Sequence, residues 1–151
     1  MNISHGQNFF SHQHVLDEMG WSFHHDGTLP ENTEVFVFGS NLAGIHEAGA
    51  AAVAFADYGA VMFKGSGLMG NSYAIPTKHR NYQYRLTLPE IQAHVERFCE
   101  FTRKRHDLKF FVTSVGCGYS RYTPSQIAPM FRSAINCNFP KEWMPYLLGT
   151  T

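Results

Sequence analysis

Short apolar runs separated by Gly, Pro and Asn breaks set the rhythm of this chain. Residues 35–38 (VFVF), 60–63 (AVMF), 72–75 (SYAI) and 110–115 (FFVTSV) have the length and β-rich composition of buried strands. Between them the apolar period changes to that of a helix. In TLPEIQAHVERFCEFTRKRH, residues 87–106, one face carries Ile91, Val95, Phe98 and Thr102. Thr87 and Glu90 have the spacing of a capping box, and the segment ends in the basic residues a helix C-terminus favours. YTPSQIAPMFRSAI repeats that grammar with Thr123, Pro124 and Gln126, while Pro129 predicts a short or kinked helix. A third helix is expected over 48–57, alanine-rich on the side facing the sheet and stopped by Gly59. Strands alternating with helices predict an α/β or mixed three-layer domain.

Residues 1–33 are more polar, hold five of the histidines and show one short helical pattern near 13–19. They read as an N-terminal extension packed on a domain spanning 34–151. At 151 residues the chain has room for one ordinary core.

Two segments share a further design, a buried strand running into a glycine-rich loop that opens a helix. The first is VFVF followed by GSNLAGIHEAG; the second is FFVTSV followed by GCGYSRYT. Loops of this kind lie over the carboxyl end of an open α/β sheet, where ligands collect. Glycine lets the backbone come close and present successive N–H groups, and the following helix start adds partial positive charge. Two such loops over one crevice suit a diphosphate. Candidate ligand contacts are Gly39, Ser40, Asn41, Gly44, Ile45 and Gly49 from the first loop, and Gly116, Cys117, Gly118 and Tyr119 from the second.

Asn41 offers a donor and an acceptor to paired sugar hydroxyls, although Asn also serves turns through its tolerance of left-handed backbone. His46 is a candidate general acid or base, or simply a cap for the helix that follows. GSGLMGNS, residues 65–72, sits one residue from a Walker A loop, but Asn71 replaces its lysine and a strand follows where a helix is required. Lys64 and Lys78 flank the segment and, with Gly65, remain candidates for contact with an anion, although a solvated surface lysine is the alternative for each. Tyr119 and Tyr122 can stack on a base or merely pack. Cys117 has no sequence-adjacent base and reads better as a small residue in a tight loop than as a nucleophile.

Composition removes other classes. Lys plus Arg and Asp plus Glu both number 12, so nucleic acid is a possible but unfavoured partner. Three cysteines without C-x-x-C spacing indicate neither a disulfide framework nor a zinc site, and the N-terminal histidines lack ligand spacing. No metal and no cofactor are expected. No run of about 18 apolar residues and no export signal is present, so the expectation is a protein of a reducing cytoplasm, a host's if the source is viral, without membrane contact.

VFVFGSNLAGIHEAGAA, GSGLMGNSYAIPTK and FFVTSVGCGYSRYTPSQIAPMF together resemble the three signature blocks of macro domains, over residues 35–143. The resemblance is strongest to small macro-like proteins of bacteria and their phages, with the pattern GSNxxGxHGAGAA, GxGxxGxSYAIPTK, GCGxAGY. It implies an α/β fold, a macro-domain-like three-layer α/β/α arrangement on a mixed sheet, that binds ADP-ribose or a derivative, with Asn41 on the distal ribose. Gly44 to Gly49 would form the first phosphate loop with His46 at the reactive end, and Gly116 to Tyr119 the second. Glu47 stands where the pattern has a small residue, which either weakens diphosphate binding or supplies an acid or base. The implied activity is hydrolysis, either ADP-ribosyl hydrolase or ADP-ribose 1''-phosphate phosphatase, with Asn41, His46 and Glu47 as the catalytic candidates. The alternatives are a non-catalytic nucleotide-signal binder and a nucleic-acid-processing protein.

Overall fold

The computed structural model describes residues 12–81 and 83–149. A helix over residues 12–19 (α1) leads to β1, Ser22–His24. The chain continues through β2 (Glu34–Asn41), α2 (Gly49–Asp57), β3 (Gly67–Met69), β4 (Ser72–Lys78), α3 (Leu88–Lys104) and β5 (Lys109–Val112). It closes with α4 (Pro124–Ile127), a 3-10 turn over Ala128–Phe131, β6 (Cys137–Pro140), a second 3-10 turn and α5 (Met144–Leu148).

The six strands form one mixed sheet in the order β1-β6-β5-β2-β4-β3, parallel throughout except for the antiparallel edge pair β3 and β4. Side-chain alternation along the central strands sorts the core into two layers. Val35, Val37, Tyr73, Ile75, Phe110 and Val112 face one cluster, which contains the buried face of α3. Phe36, Phe38, Ala74 and Phe111 face the other, under Ala51 and Ala54 of α2. The fold is therefore a three-layer α/β/α sandwich.

The larger layer is held by aromatic edges. Phe98 of α3 is fully buried and meets Tyr73, Phe110 and Phe131 edge-on at 5.0, 5.2 and 5.8 Å. Such a ring contributes about 1.5–3 kcal/mol by burial, and each aromatic pair about 0.5–1.5 kcal/mol more. On the other face the alanines of α2 let helix and sheet approach closely.

The helix starts follow the sequence. Thr87 and Glu90 make the reciprocal capping box: Thr87 N–H donates to Glu90 Oε1 at 2.9 Å, and Glu90 N–H donates to Thr87 Oγ1 at 3.3 Å. Thr123 N–H donates to Gln126 Oε1 at 3.0 Å, and α4 gives way to the 3-10 turn at Ala128, just ahead of Pro129.

Two expectations change. Residues 60–63 are not a strand; they form a turn with Val61 and Phe63 exposed, Phe63 having positive φ. The Phe63 N–H donates to the Gly44 carbonyl at 2.8 Å, so the segment is spent supporting the first glycine loop instead of extending the sheet. The division at Glu34 also leaves part of the sheet outside the domain. β1 pairs with β6, Trp21 is buried, and Trp21 Nε1 donates to the Ala134 carbonyl at 2.7 Å. Residues 12–33 thus supply a helix and an edge strand to the same core; residues 1–11 of the expected extension, including His5, lie outside the described residues.

Candidate functional site

β2, β4 and β5 run parallel, so their carboxyl ends share one edge of the sheet. Both glycine-rich loops leave from that edge, and they meet. A Cβ on Gly39 would lie 3.5 Å from the Gly116 nitrogen, and one on Gly49, where φ is +57°, would come 2.8 Å from the Tyr119 ring. Between them lies a cleft of about 470 Å³.

A buried hydroxyl chain fixes the floor. Ser120 Oγ lies 2.8 Å from Thr77 Oγ1, Thr77 Oγ1 donates to the Ser40 carbonyl at 3.3 Å, and Ser40 Oγ donates to the Gly65 carbonyl. The second loop, the end of β4 and the first loop are thereby tied through three short side chains.

The cleft is rich in free donors. α2 begins without a side-chain cap: its N-cap is Ala48, with extended backbone and no acidic residue in the first turn. Gly49, Ala50 and Ala51 line the cleft, so the first turn of a nine-residue helix, with its orphan N–H groups, borders it. Opposite, among the described residues, the amides of Gly116, Gly118, Tyr119 and Ser120 donate to no protein acceptor. Lys78 adds one positive charge at the wall, 5.3 Å from the Tyr119 ring centre. Tyr119 is 67% exposed and offers a flat aromatic face at the mouth.

Of the residues expected from sequence, Gly39, Ser40, Asn41, Ile45, Glu47, Gly49, Gly116, Cys117, Gly118 and Tyr119 line this cleft. Asn41 is largely occupied in holding the loop. Its Oδ1 accepts the Ile45 N–H at 3.0 Å and its Nδ2 donates to the Ile45 carbonyl at 2.9 Å, leaving one donor and one lone pair for a ligand.

Five candidates are not in the lining: Gly44, His46, Lys64, Gly65 and Tyr122, the last packed in the core with its hydroxyl donating to the Leu86 carbonyl at 2.6 Å. His46 is 1% exposed, stands edge-on to Phe38 at 5.4 Å, and its Nε2 donates to the Lys64 carbonyl at 2.9 Å. Its Nδ1 meets no partner among the described residues. The place expected for a general base is therefore taken by a ring that pins the 61–65 turn under the first loop. Lys64 extends away, with Nζ donating to the Leu68 carbonyl at 3.2 Å. A Cβ on Gly65 would overlap the Asn41 carbonyl oxygen, and one on Gly44 the Lys64 nitrogen, so both glycines serve backbone-on-backbone packing behind the wall.

Cys117 lies on the wall, but burial, reinforced by the Glu142 carboxylate, pushes its thiol up to about 11. The sulfur is a neutral thiol near pH 7, 3.5 Å from the Val115 carbonyl, and not an activated nucleophile. Glu47 is exposed on the lip and is the one carboxylate in the lining.

Sequence reasoning missed Thr77, Thr113, Ser114 and Ser120, and placed no weight on the first turn of α2. The signal for Thr77 was present in SYAIPTK, since the end of a third parallel strand belongs on the same edge as the other two; Lys78, expected as an anion contact, does line the cleft.

No cluster of metal-ligating side chains is found among the described residues, and no helix among them is long and apolar enough to cross a membrane. The fold and cleft define an α/β protein with a pocket lined by two glycine-rich loops and a helix start over the carboxyl ends of parallel strands. No family model matches the chain, nor does any curated protein or solved structure.

Proposed function

We propose that the cleft binds ADP-ribose, or a close derivative, by its diphosphate, and that the protein hydrolyses such a ligand at the distal ribose. The observation that carries this reading is the pair of opposed amide sets, the uncapped start of α2 and the 116–120 loop, facing one cleft. A diphosphate offers acceptors without donors and a charge that favours a helix N-terminus, whereas a neutral ligand would leave most of these amides unmet. The macro-like resemblance of the same three blocks supports the identity of the nucleotide. Tyr119 then covers a base or ribose, and the free half of the Asn41 amide takes a ribose hydroxyl.

With His46 behind the wall and Cys117 neutral, Glu47 is the group for acid–base work. Its carboxylate takes the proton of the attacking water and returns it to the oxygen that leaves, releasing ADP-ribose from a modified macromolecule or phosphate from ADP-ribose 1''-phosphate. A cleft with a single carboxylate also favours a second reading, a non-catalytic receptor for a nucleotide signal. The three free thiols, Cys99, Cys117 and Cys137, support placement in a reducing cytoplasm.

Calorimetry with ADP-ribose, combined with turnover of ADP-ribosylated protein, ADP-ribosylated nucleic acid and the 1''-phosphate, tests both parts. Glu47→Gln is expected to bind at least as tightly as the native chain and to lose about 100-fold or more in turnover. Binding without turnover in the native chain selects the receptor reading; absence of binding refutes the nucleotide assignment.

A further inference from the structure

Next to the cleft lies a second hollow of about 390 Å³, lined by Lys78, Gln83, Arg85, Tyr119, Ser120 and Arg121. Lys78, Tyr119 and Ser120 border both spaces, so the hollow continues the cleft past the Tyr119 ring. Three of its six lining residues are cationic and none is acidic, in a chain whose formal net charge is zero. Among the described residues, Lys78, Arg85 and Arg121 have no carboxylate within 4.0 Å. Unpartnered like charges gathered in one concave site repel one another, and an anion relieves that repulsion.

One of the cations is held by its side chain, and another stands on a strained turn. Arg85 donates from Nη1 to the Ser120 carbonyl at 3.3 Å, its guanidinium lies 4.0 Å over the Tyr122 ring, and its backbone bridges to Lys78. Arg121 has φ +61°, a left-handed conformation unfavourable for a residue with a side chain and recurrent at ligand clamps. The turn is locked by Arg121 N–H donating to the Gly118 carbonyl at 3.0 Å, so the strained residue sits on the loop whose amides face the cleft. Two guanidinium groups, one of them held, a lysine and an amide side chain line the same hollow, and these are the donor types that bind a phosphate oxyanion.

We propose that this hollow is a second anion subsite, which takes a phosphate monoester carried by the ligand outside its diphosphate. The identity of the whole ligand rests on the ADP-ribose reading, while the phosphate subsite itself does not. The monoester can come from the distal ribose or from the adenosine side, and the test separates the two sources.

Calorimetry on the full chain compares ADP-ribose with ADP-ribose 1''-phosphate and with ADP-ribose bearing a 2'-phosphate on the adenosine. One of the phosphorylated ligands is expected to bind about tenfold or more tightly than ADP-ribose, as one charge-assisted contact allows. The ligand that gains identifies the end entering the hollow. In Arg121→Asn, a replacement that tolerates left-handed backbone and keeps the turn, the preference is expected to shrink to about threefold or less. Equal affinity for all three ligands overturns the inference, as does a preference that survives Arg121→Asn. If none of the three binds, the ADP-ribose reading falls and inorganic phosphate decides the subsite. Nuclear magnetic resonance shifts at the Gln83, Arg85 and Arg121 amides on phosphate titration uphold it; unmoved amides overturn it.

Discussion

A helix that starts without a cap, at the edge of a cleft, can be asked what its free amides are for. Ala48 has φ −147° and ψ 156°, the extended geometry of an N-cap, but carries no oxygen to accept from the first turn. In Ala48→Asp the carboxylate would accept from Ala50 or Ala51 N–H and complement the helix dipole. The site is exposed, so the new side chain meets no steric obstacle. The cap is worth about 1 kcal/mol, or about 2–4 °C in Tm for a chain of this length. If the same amides hold a diphosphate, the ligand loses one charge-assisted bond, about 1.5–3 kcal/mol, which weakens binding about 10- to 100-fold before any like-charge repulsion is counted. Ala48→Ser supplies the cap without the charge and should raise Tm with a smaller loss of affinity. Thermal unfolding and ADP-ribose calorimetry on the three proteins give both readouts. A rise in Tm with unchanged affinity would refute the claim that the start of α2 is a ligand contact, because stability and binding would then not compete for the same donors.

Other perturbations separate structural from chemical roles. Asn41→Ala removes both bonds to Ile45 and orphans its backbone groups; the expected cost is about 2–3 kcal/mol, or about 5–10 °C in Tm, and Asn41→Asp, which keeps the acceptor, should recover part of it. Cys117, with its thiol near 11, should react with iodoacetamide at pH 8.5 about 100-fold more slowly than a free thiol, as mass spectrometry of the modified chain can follow. The folded state holds that proton more tightly than the unfolded chain does, so stability should fall as pH rises from the ordinary thiol range toward 11. A Cys117 that alkylates at the free-thiol rate would show that the loop opens to solvent.

Much of the fold is written in local chemistry. β2, β4 and β5 are apolar on both faces because both are covered, and such runs stand out from their surroundings. The helix starts at Leu88 and Pro124 are legible because a cap and its partner lie three residues apart. β1, β3 and β6 were not legible. Each is three or four residues long, and β6, CNFP, ends in proline; pairing with an already formed sheet makes these strands, and no local pattern announces it. AVMF, residues 60–63, differs in the opposite direction: its composition is that of a strand, but one hydrogen bond from Phe63 N–H to Gly44 and one from His46 N–H to the Met62 sulfur place it under a loop.

The same division runs through the site. Glycines that admit a ligand and glycines that admit another backbone look identical in a sequence, so Gly49 and Gly65 read alike although one faces the cleft and the other presses on the Asn41 carbonyl. His46 and Glu47 are neighbours in sequence, yet His46 is buried outside the lining while Glu47 is exposed within it. A titratable ring attracts the chemical reading more strongly than an exposed carboxylate does, yet the ring is the one committed to packing. Charge was the harder signal still. A zero total hides the local excess, since Lys78, Arg85 and Arg121 are spread over more than forty positions and become one basic hollow only when the end of β4, the approach to α3 and the second glycine loop converge. Net charge therefore argued against a wholly basic surface while leaving open a confined anion site, and it is the confined site that the topology supplies.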